Sequence, residues 1–135
     1  MTDHDLVERA MEAQQLAYVP YSHYRVGAAL LTCSGKVYTG CNIENASYGL
    51  TICAERTALF KAVSEGERDF ASIAVVVDGE AFASPCGACR QVLAEFAPNM
   101  RCILANGRGE HKVTTVADLL PDGFGASNMP SARHL

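Results

Sequence analysis

Three cysteines and one glutamate stand out by type and spacing: Cys53 and Glu55, two residues apart, and Cys86 and Cys89, three apart. Each cysteine group falls where a helix is expected to begin. A helix N-terminus carries unpaired N–H groups and partial positive charge, which favours a thiolate, the form of cysteine that binds metal. At spacing i, i+3, Cys86 and Cys89 share one helix face. Two parallel strands feeding the two helices would bring both starts to the carboxyl end of the sheet, where open α/β sheets bind ligands. Three sulfurs could then converge on one zinc ion per chain. Zinc takes four ligands, so three leave a position for water, which marks a catalytic site rather than a structural one. Glu55 would handle the protons. On a regular helix two residues are about 200° apart, so Glu55 can serve the metal only if Cys53 lies at an irregular helix start. Three thiolates on one zinc carry net negative charge, which opposes ionising a bound water. Arg56 could donate to the sulfurs and offset that charge.

Taken alone, the Cys86–Cys89 pair has other readings. It is equally half of a structural zinc site or a redox dithiol. The redox reading leaves Cys53 and Glu55 unexplained and predicts no metal. A structural zinc module needs a fourth protein ligand, and none stands out near Cys53. The remaining cysteines, Cys33, Cys41 and Cys102, sit in or beside expected strands and read as small buried hydrophobes. His4, His23, His111 and His134 have no ligand spacing.

The elements that must position these groups follow from pattern. Residues 3–18 read as a helix, with Leu6, Ala10, Ala13 and Ala17 at helical spacing and Pro20 as the stop. Residues 26–32 and 37–41 read as strands of a hairpin around Ser34-Gly35-Lys36. Residues 42–50 read as a loop and 51–63 as a helix ending near Gly66. The β-branched run 73–77 suits a strand buried on both faces. Residues 86–96 read as a helix, with Pro85 just before it or at its first position. Residues 101–105 and 113–115 read as strands, and 116–120 as a short helix. The order predicts a layered α/β fold: a mixed five-stranded sheet between helices, with an N-terminal antiparallel hairpin and then parallel strands. At 135 residues one domain is expected over 1–135, with 126–135 a loose tail.

Composition narrows the partners. A chain that is 49% hydrophobic can bury a core, which excludes disorder. The net charge of −4 and the absence of any Lys/Arg run argue against nucleic acid. The apolar runs are far too short to span a bilayer, and the acidic start does not look like a secretory signal. A cytoplasmic protein with no membrane partner is the expectation.

Together, Cys53-Ala54-Glu55 and Pro85-Cys86-Gly87-Ala88-Cys89 match the zinc deaminase signature. Beyond it, from about residue 18 to 124, the chain resembles the small homotetrameric cytidine deaminases. The matching stretches include Pro20-Tyr21-Ser22, Val26-Gly27-Ala28-Ala29-Leu30, Gly40-Cys41-Asn42-Ile43-Glu44-Asn45-Ala46-Ser47-Tyr48-Gly49 and Ser84-Pro85-Cys86-Gly87-Ala88-Cys89-Arg90-Gln91. The resemblance implies roles by position. Asn42 and Glu44 would hold the ribose hydroxyls of a nucleoside. The Ala54 N–H would contact the base carbonyl and the Ser84 carbonyl the leaving amine. Tyr24 stands where the family usually has a Phe that packs on the pyrimidine, and its hydroxyl needs a partner or water. Phe124 would reach into a neighbouring subunit's site, so each site of a homotetramer would draw on more than one chain. Tyr18, Tyr21 and Tyr48 would serve packing or the subunit interface. The implied reaction is hydrolytic deamination of cytidine and 2′-deoxycytidine in pyrimidine salvage. In that reaction a bound zinc would make the attacking water acidic enough to add to C4, and Glu55 would shuttle the proton.

Overall fold

A computed structural model describes residues 1–130. Its first helix, α1 (Asp3–Gln14), is capped by Thr2, whose hydroxyl accepts from the Asp5 N–H while the Asp5 carboxylate accepts from the Thr2 N–H. The helix stops four residues short of the expected end. Tyr18 instead pairs with the segment after the hairpin: its N–H donates to the Asn42 carbonyl at 3.0 Å and its carbonyl accepts from Glu44 N–H at 2.9 Å. That long-range pairing draws residues 15–18 out of the helix before Pro20 is reached.

The strands are β1 (Val26–Thr32), β2 (Val37–Cys41), β3 (Phe70–Val77), β4 (Arg101–Ala105) and β5 (His111–Thr115). They form one sheet in the order β2-β1-β3-β4-β5. The mixed sheet is as expected, but parallel pairing is confined to β3 and β4; β5 runs antiparallel to β4. The turn at 106–109 explains this, since so short a connection can join only antiparallel neighbours. β1 is antiparallel to both β2 and β3. β2 and β3 therefore point the same way across it. The helices that follow them, α2 (Ala54–Ser64) and α3 (Gly87–Phe96), both begin at that shared end of the sheet.

Strand alternation splits the core into two layers. Ala29, Ala74, Val76, Ile103 and Ala105 meet Leu6, Val7 and Ala10 of α1. Leu30, Ile73, Val75, Cys102 and Leu104 meet Ala54, Ala58, Leu59 and Leu93 of α2 and α3. Backbone spacing is close on both sides. A Cβ at Gly27 would lie 2.0 Å from the Ala10 carbonyl oxygen, and one at Gly40 would lie 2.5 Å from the Ala58 nitrogen and 2.6 Å from the Ala54 carbonyl oxygen. The first turn of α2 thus rests directly on the β2 backbone.

Two further expectations change. Cys33 is exposed in the hairpin turn rather than buried, because the strand ends at Thr32; Cys41 is half-buried and Cys102 fully buried. Within the expected tail, Ala126–Asn128 forms a single 3-10 turn, with the Gly125 N–H donating to Asn128 Oδ1 at 2.9 Å. The rest of that tail, 131–135, lies outside the described residues. No helix among the described residues is long and apolar enough to cross a membrane. Two further helical pieces, a 3-10 turn at Tyr48–Leu50 and α4 (Val116–Leu119), complete the described elements.

Gly40→Ala should push the start of α2 off the sheet. A loss of about 1–3 kcal/mol in urea unfolding is expected, with weaker zinc retention on dialysis. Unchanged stability would refute the close approach.

Candidate active site

The geometric condition on Glu55 is met by long-range pairing. Ile43 and Ile52 exchange N–H···O bonds, both 3.0 Å, which keeps residues 51–53 extended. α2 therefore begins at Ala54, not at 51, and Cys53 is its cap with φ −73° and ψ 155°. Cys86 caps α3 in the same conformation, φ −66° and ψ 165°, and Cys89 lies on the first turn. Two extended caps at one end of the sheet aim their sulfurs at a common point.

The Sγ atoms of Cys53, Cys86 and Cys89 all lie within 4.8 Å of one another. Cys53 and Cys86 are 3.8 Å apart, and Cys86 and Cys89 are 3.5 Å apart. Tetrahedral zinc with Zn–S of about 2.3 Å separates its sulfurs by about 3.8 Å. The donor set therefore fits one zinc ion, and no fourth Cys, His, Asp or Glu joins the group among the described residues. Arg56 Nη2 donates to Cys53 Sγ at 3.4 Å, the contact expected of it. Its Nε is buried with no hydrogen-bond partner among the described residues, so the guanidinium is held there by the sulfur side. The hydrogen bond from Cys89, with help from Arg56, keeps the Cys53 thiol well below its ordinary pKa, and the same bond pushes Cys89 up.

Glu55 is 4% exposed. Burial pushes its carboxyl up to about 7, the Cys53 thiolate adds to this, and its own backbone N–H opposes. A carboxyl poised near neutrality both accepts and returns a proton.

These groups open on a cleft of about 280 Å³. Tyr24, Asn42, Ala54, Glu55, Ser84 and two of the sulfurs, those of Cys53 and Cys86, line it together. Burial, reinforced by Asp78, pushes the Tyr24 phenol up from its ordinary range. Asn42 is buried: its Oδ1 accepts from Val26 N–H at 2.9 Å and its Nδ2 donates to the Tyr24 carbonyl at 2.9 Å. One lone pair and one N–H of the amide remain. Glu44 does not line this cleft. It faces an adjoining hollow that shares Thr51. Phe124 is also elsewhere, 60% exposed on a separate hollow beside α3 and α4 that contains none of the sulfurs.

Sequence reasoning missed three contributors. Thr51 lines both hollows, and Phe82 forms part of the cleft wall. Arg90 fixes the Ser84 side, donating to the Pro85 carbonyl at 2.7 Å, the Ser84 hydroxyl at 3.0 Å and the Leu119 carbonyl at 2.9 Å. An aromatic residue in a polar connection is the signal available for Phe82, and a place in a stretch that matches the family is the signal for Arg90; Thr51 has none.

The sheet thus sets two cysteine-capped helix starts, a buried carboxyl and a cleft of about 280 Å³ side by side at one end, with three sulfurs that could hold a zinc ion. Residues 1–105 match the family model described as the cytidine and deoxycytidylate deaminase zinc-binding region. The chain is 56% identical to the cytidine deaminase of Halalkalibacterium halodurans over 92% of this chain and 95% of that one. It is 53% identical to the cytidine deaminase of Sporosarcina psychrophila over 94% of each. The crystal structure of cytidine deaminase from Burkholderia pseudomallei superposes with a TM-score of 0.90 at 54% identity, covering 92% of this chain and 100% of that one. The chain belongs to the zinc-dependent cytidine deaminase family.

The Glu55 shift has a sign that can be measured in metal-free protein. Below its ordinary range both folded and unfolded chains hold the proton, and nothing is lost. Above that range the unfolded chain releases its proton while the folded chain keeps its own up to about 7, so stability falls across this window and stays low above it. Glu55→Gln should therefore raise the Tm of metal-free protein near pH 8 and leave it unchanged near pH 4. Equal effects at both pH values would contradict the assignment.

Proposed function

We propose that this enzyme hydrolyses cytidine and 2′-deoxycytidine to uridine and 2′-deoxyuridine with release of ammonia, as a cytoplasmic step of pyrimidine salvage. The observation that carries the reading is the buried Glu55 carboxyl beside three convergent sulfurs at the mouth of a nucleoside-sized cleft. Cys53, Cys86 and Cys89 would hold the zinc, which when bound supplies Lewis acidity and a water acidic enough to ionise near neutral pH. Glu55 takes one proton from the attacking water and delivers it to N3 of the cytosine as oxygen bonds to C4, then takes the remaining proton from the new C4 hydroxyl and passes it to N4 as C4=O forms. The C4–N4 bond breaks and ammonia leaves. Arg56 offsets sulfur charge. The Ala54 N–H, first in its helix and free of an intrahelical partner, suits the base carbonyl. The Ser84 carbonyl suits the leaving amine, and Tyr24 packs on the ring. Asn42 and Glu44 retain capacity for the sugar diol.

Phe124, exposed and away from its own chain's cleft, is assigned to a neighbouring site in a homotetramer of single-domain subunits. The negative net charge speaks for a free nucleoside rather than nucleic acid.

The decisive assay follows loss of cytosine absorbance from cytidine, with zinc measured on the same sample. Conversion to uridine with about one zinc per chain is expected. Zinc without turnover on either nucleoside would sink the substrate assignment. Glu55→Gln should cost at least about 10²-fold in kcat with zinc retained; full activity would remove Glu55 from the mechanism. Shared sites have their own test. Phe124→Ala and Glu55→Gln subunits, each weak alone, should regain activity when mixed and reassembled, because some sites then pair an intact Glu55 with a neighbour's Phe124. No recovery in reassembled mixtures would confine each site to one chain.

A further inference from the structure

The expected sugar carboxylate and the expected base wall are joined by one hydroxyl. Glu44 Oε1 accepts from the N–H of Tyr21 at 3.0 Å and of Ser22 at 3.1 Å. Its Oε2 accepts a short hydrogen bond from the Ser22 hydroxyl. That hydroxyl in turn accepts from the Tyr24 N–H at 3.0 Å. The direction of each bond is forced, because an ionised carboxylate only accepts and a backbone N–H only donates. The Ser22 hydroxyl is thus committed at both ends. Between Ser22 and Tyr24 the chain passes through His23 at φ 57°, a left-handed conformation that a non-glycine residue adopts reluctantly. The Ser22-to-Tyr24 bond closes this turn in the manner of a serine turn.

The other sugar candidate holds the same segment. Asn42 bridges the Tyr24 carbonyl and the Val26 N–H, and Arg25 between them is clamped by Asp78 through its backbone N–H at 2.9 Å and its guanidinium at 3.1 Å. Residues 21–26 are therefore fixed from both flanks by the two side chains assigned to the ribose. Of the roughly four lone-pair sites of Glu44, three are filled, and the one left lies on Oε2, the oxygen that Ser22 holds.

We infer that Ser22 is a positioning residue: its hydroxyl aims Glu44 Oε2 at the sugar and locks Tyr24 against the base, so that sugar and base contacts form one unit. The inference rests on the nucleoside reading above. Hydrogen bonding from Ser22 is also the largest cause holding the Glu44 carboxyl below its usual range. Removing the hydroxyl leaves the carboxylate one donor short and the Tyr24 N–H without its acceptor. A contact that binds ground state and transition state alike acts on KM rather than kcat.

The test uses zinc-loaded enzyme and two nucleosides, cytidine and 2′,3′-dideoxycytidine, which lacks both hydroxyls that Glu44 could meet. Ser22→Ala should raise KM for cytidine about tenfold, the scale of a hydrogen bond to a charged group, with kcat little changed. The penalty should shrink for the dideoxynucleoside and be non-additive with Glu44→Gln. Ser22→Thr, which keeps the hydroxyl, should restore the cytidine KM. Equal penalties on both nucleosides, or a wild-type KM in Ser22→Ala, would overturn the proposal. NMR titration of Glu44 separates this from the substrate assignment, since it needs no turnover. Ser22→Ala should raise the Glu44 pKa, and no change there would overturn the contact itself. Wild-type enzyme inert on cytidine would instead count against the nucleoside reading.

Discussion

Three sulfurs held within 4.8 Å of one another cannot all carry charge unless something opposes their repulsion. The site depends on meeting that constraint. Two helix starts, each presenting unpaired N–H groups, supply partial positive charge from the backbone. Arg56 supplies a full one at 3.4 Å from Cys53. A divalent ion completes the balance when bound. The same constraint acts on Glu55, whose proton affinity is raised by burial and by the neighbouring Cys53 thiolate. Charge balance at the cluster and the proton affinity of Glu55 are one electrostatic problem.

Both helix caps are extended because the segments leading into them are tied elsewhere. Ile52 is paired with Ile43, and Tyr18 with residues 42 and 44, so the loop after β2 becomes a short stack of backbone pairings rather than a free excursion. This stack fixes where α2 begins. It also presents Asn42 and Thr51 to the cleft and Glu44 to the hollow beside it. On the opposite wall Arg90 does comparable work with three hydrogen bonds, binding residues 84 and 85 to the end of α4. The site is a junction of loops, but each loop is held by main-chain or buried polar contacts.

Much of this was legible in the chain. The hairpin, the buried run of β3, the third helix and the zinc ligands follow from period, turn residues and the chemistry of cysteine at helix starts. The misreadings share a cause. α1 extended to 18 on pattern alone because the competing partner of Tyr18 lies 24 residues away. Pattern alone starts α2 at 51, because Thr51 and Ile52 suit a helix until Ile43 claims them. β5 was given the direction of β4 because strand direction depends on the length of a turn more than on the strand itself. Proximity to β1 suggests a buried Cys33, but that strand ends one residue earlier and leaves it exposed. Asn42 and Glu44 show the limit most clearly: polarity in a loop does not reveal which lone pairs are spent on the protein and which are left for a ligand. Counting them requires the partners, and the partners are distant in sequence.

At Gly27 the α1 backbone meets the β1 backbone with no side chain between them, and a single added carbon would sit 2.0 Å from the Ala10 carbonyl. Side-chain contacts are compliant: a neighbour can change rotamer to absorb a new methyl group. Two main chains in contact have no such slack. Position 27, tighter than the like contact at Gly40, thus behaves as a digital element in a largely analogue core. A saturation library at that codon should return a single letter among folded clones, while Ala29, two residues along the same strand, has neighbouring side chains able to adjust.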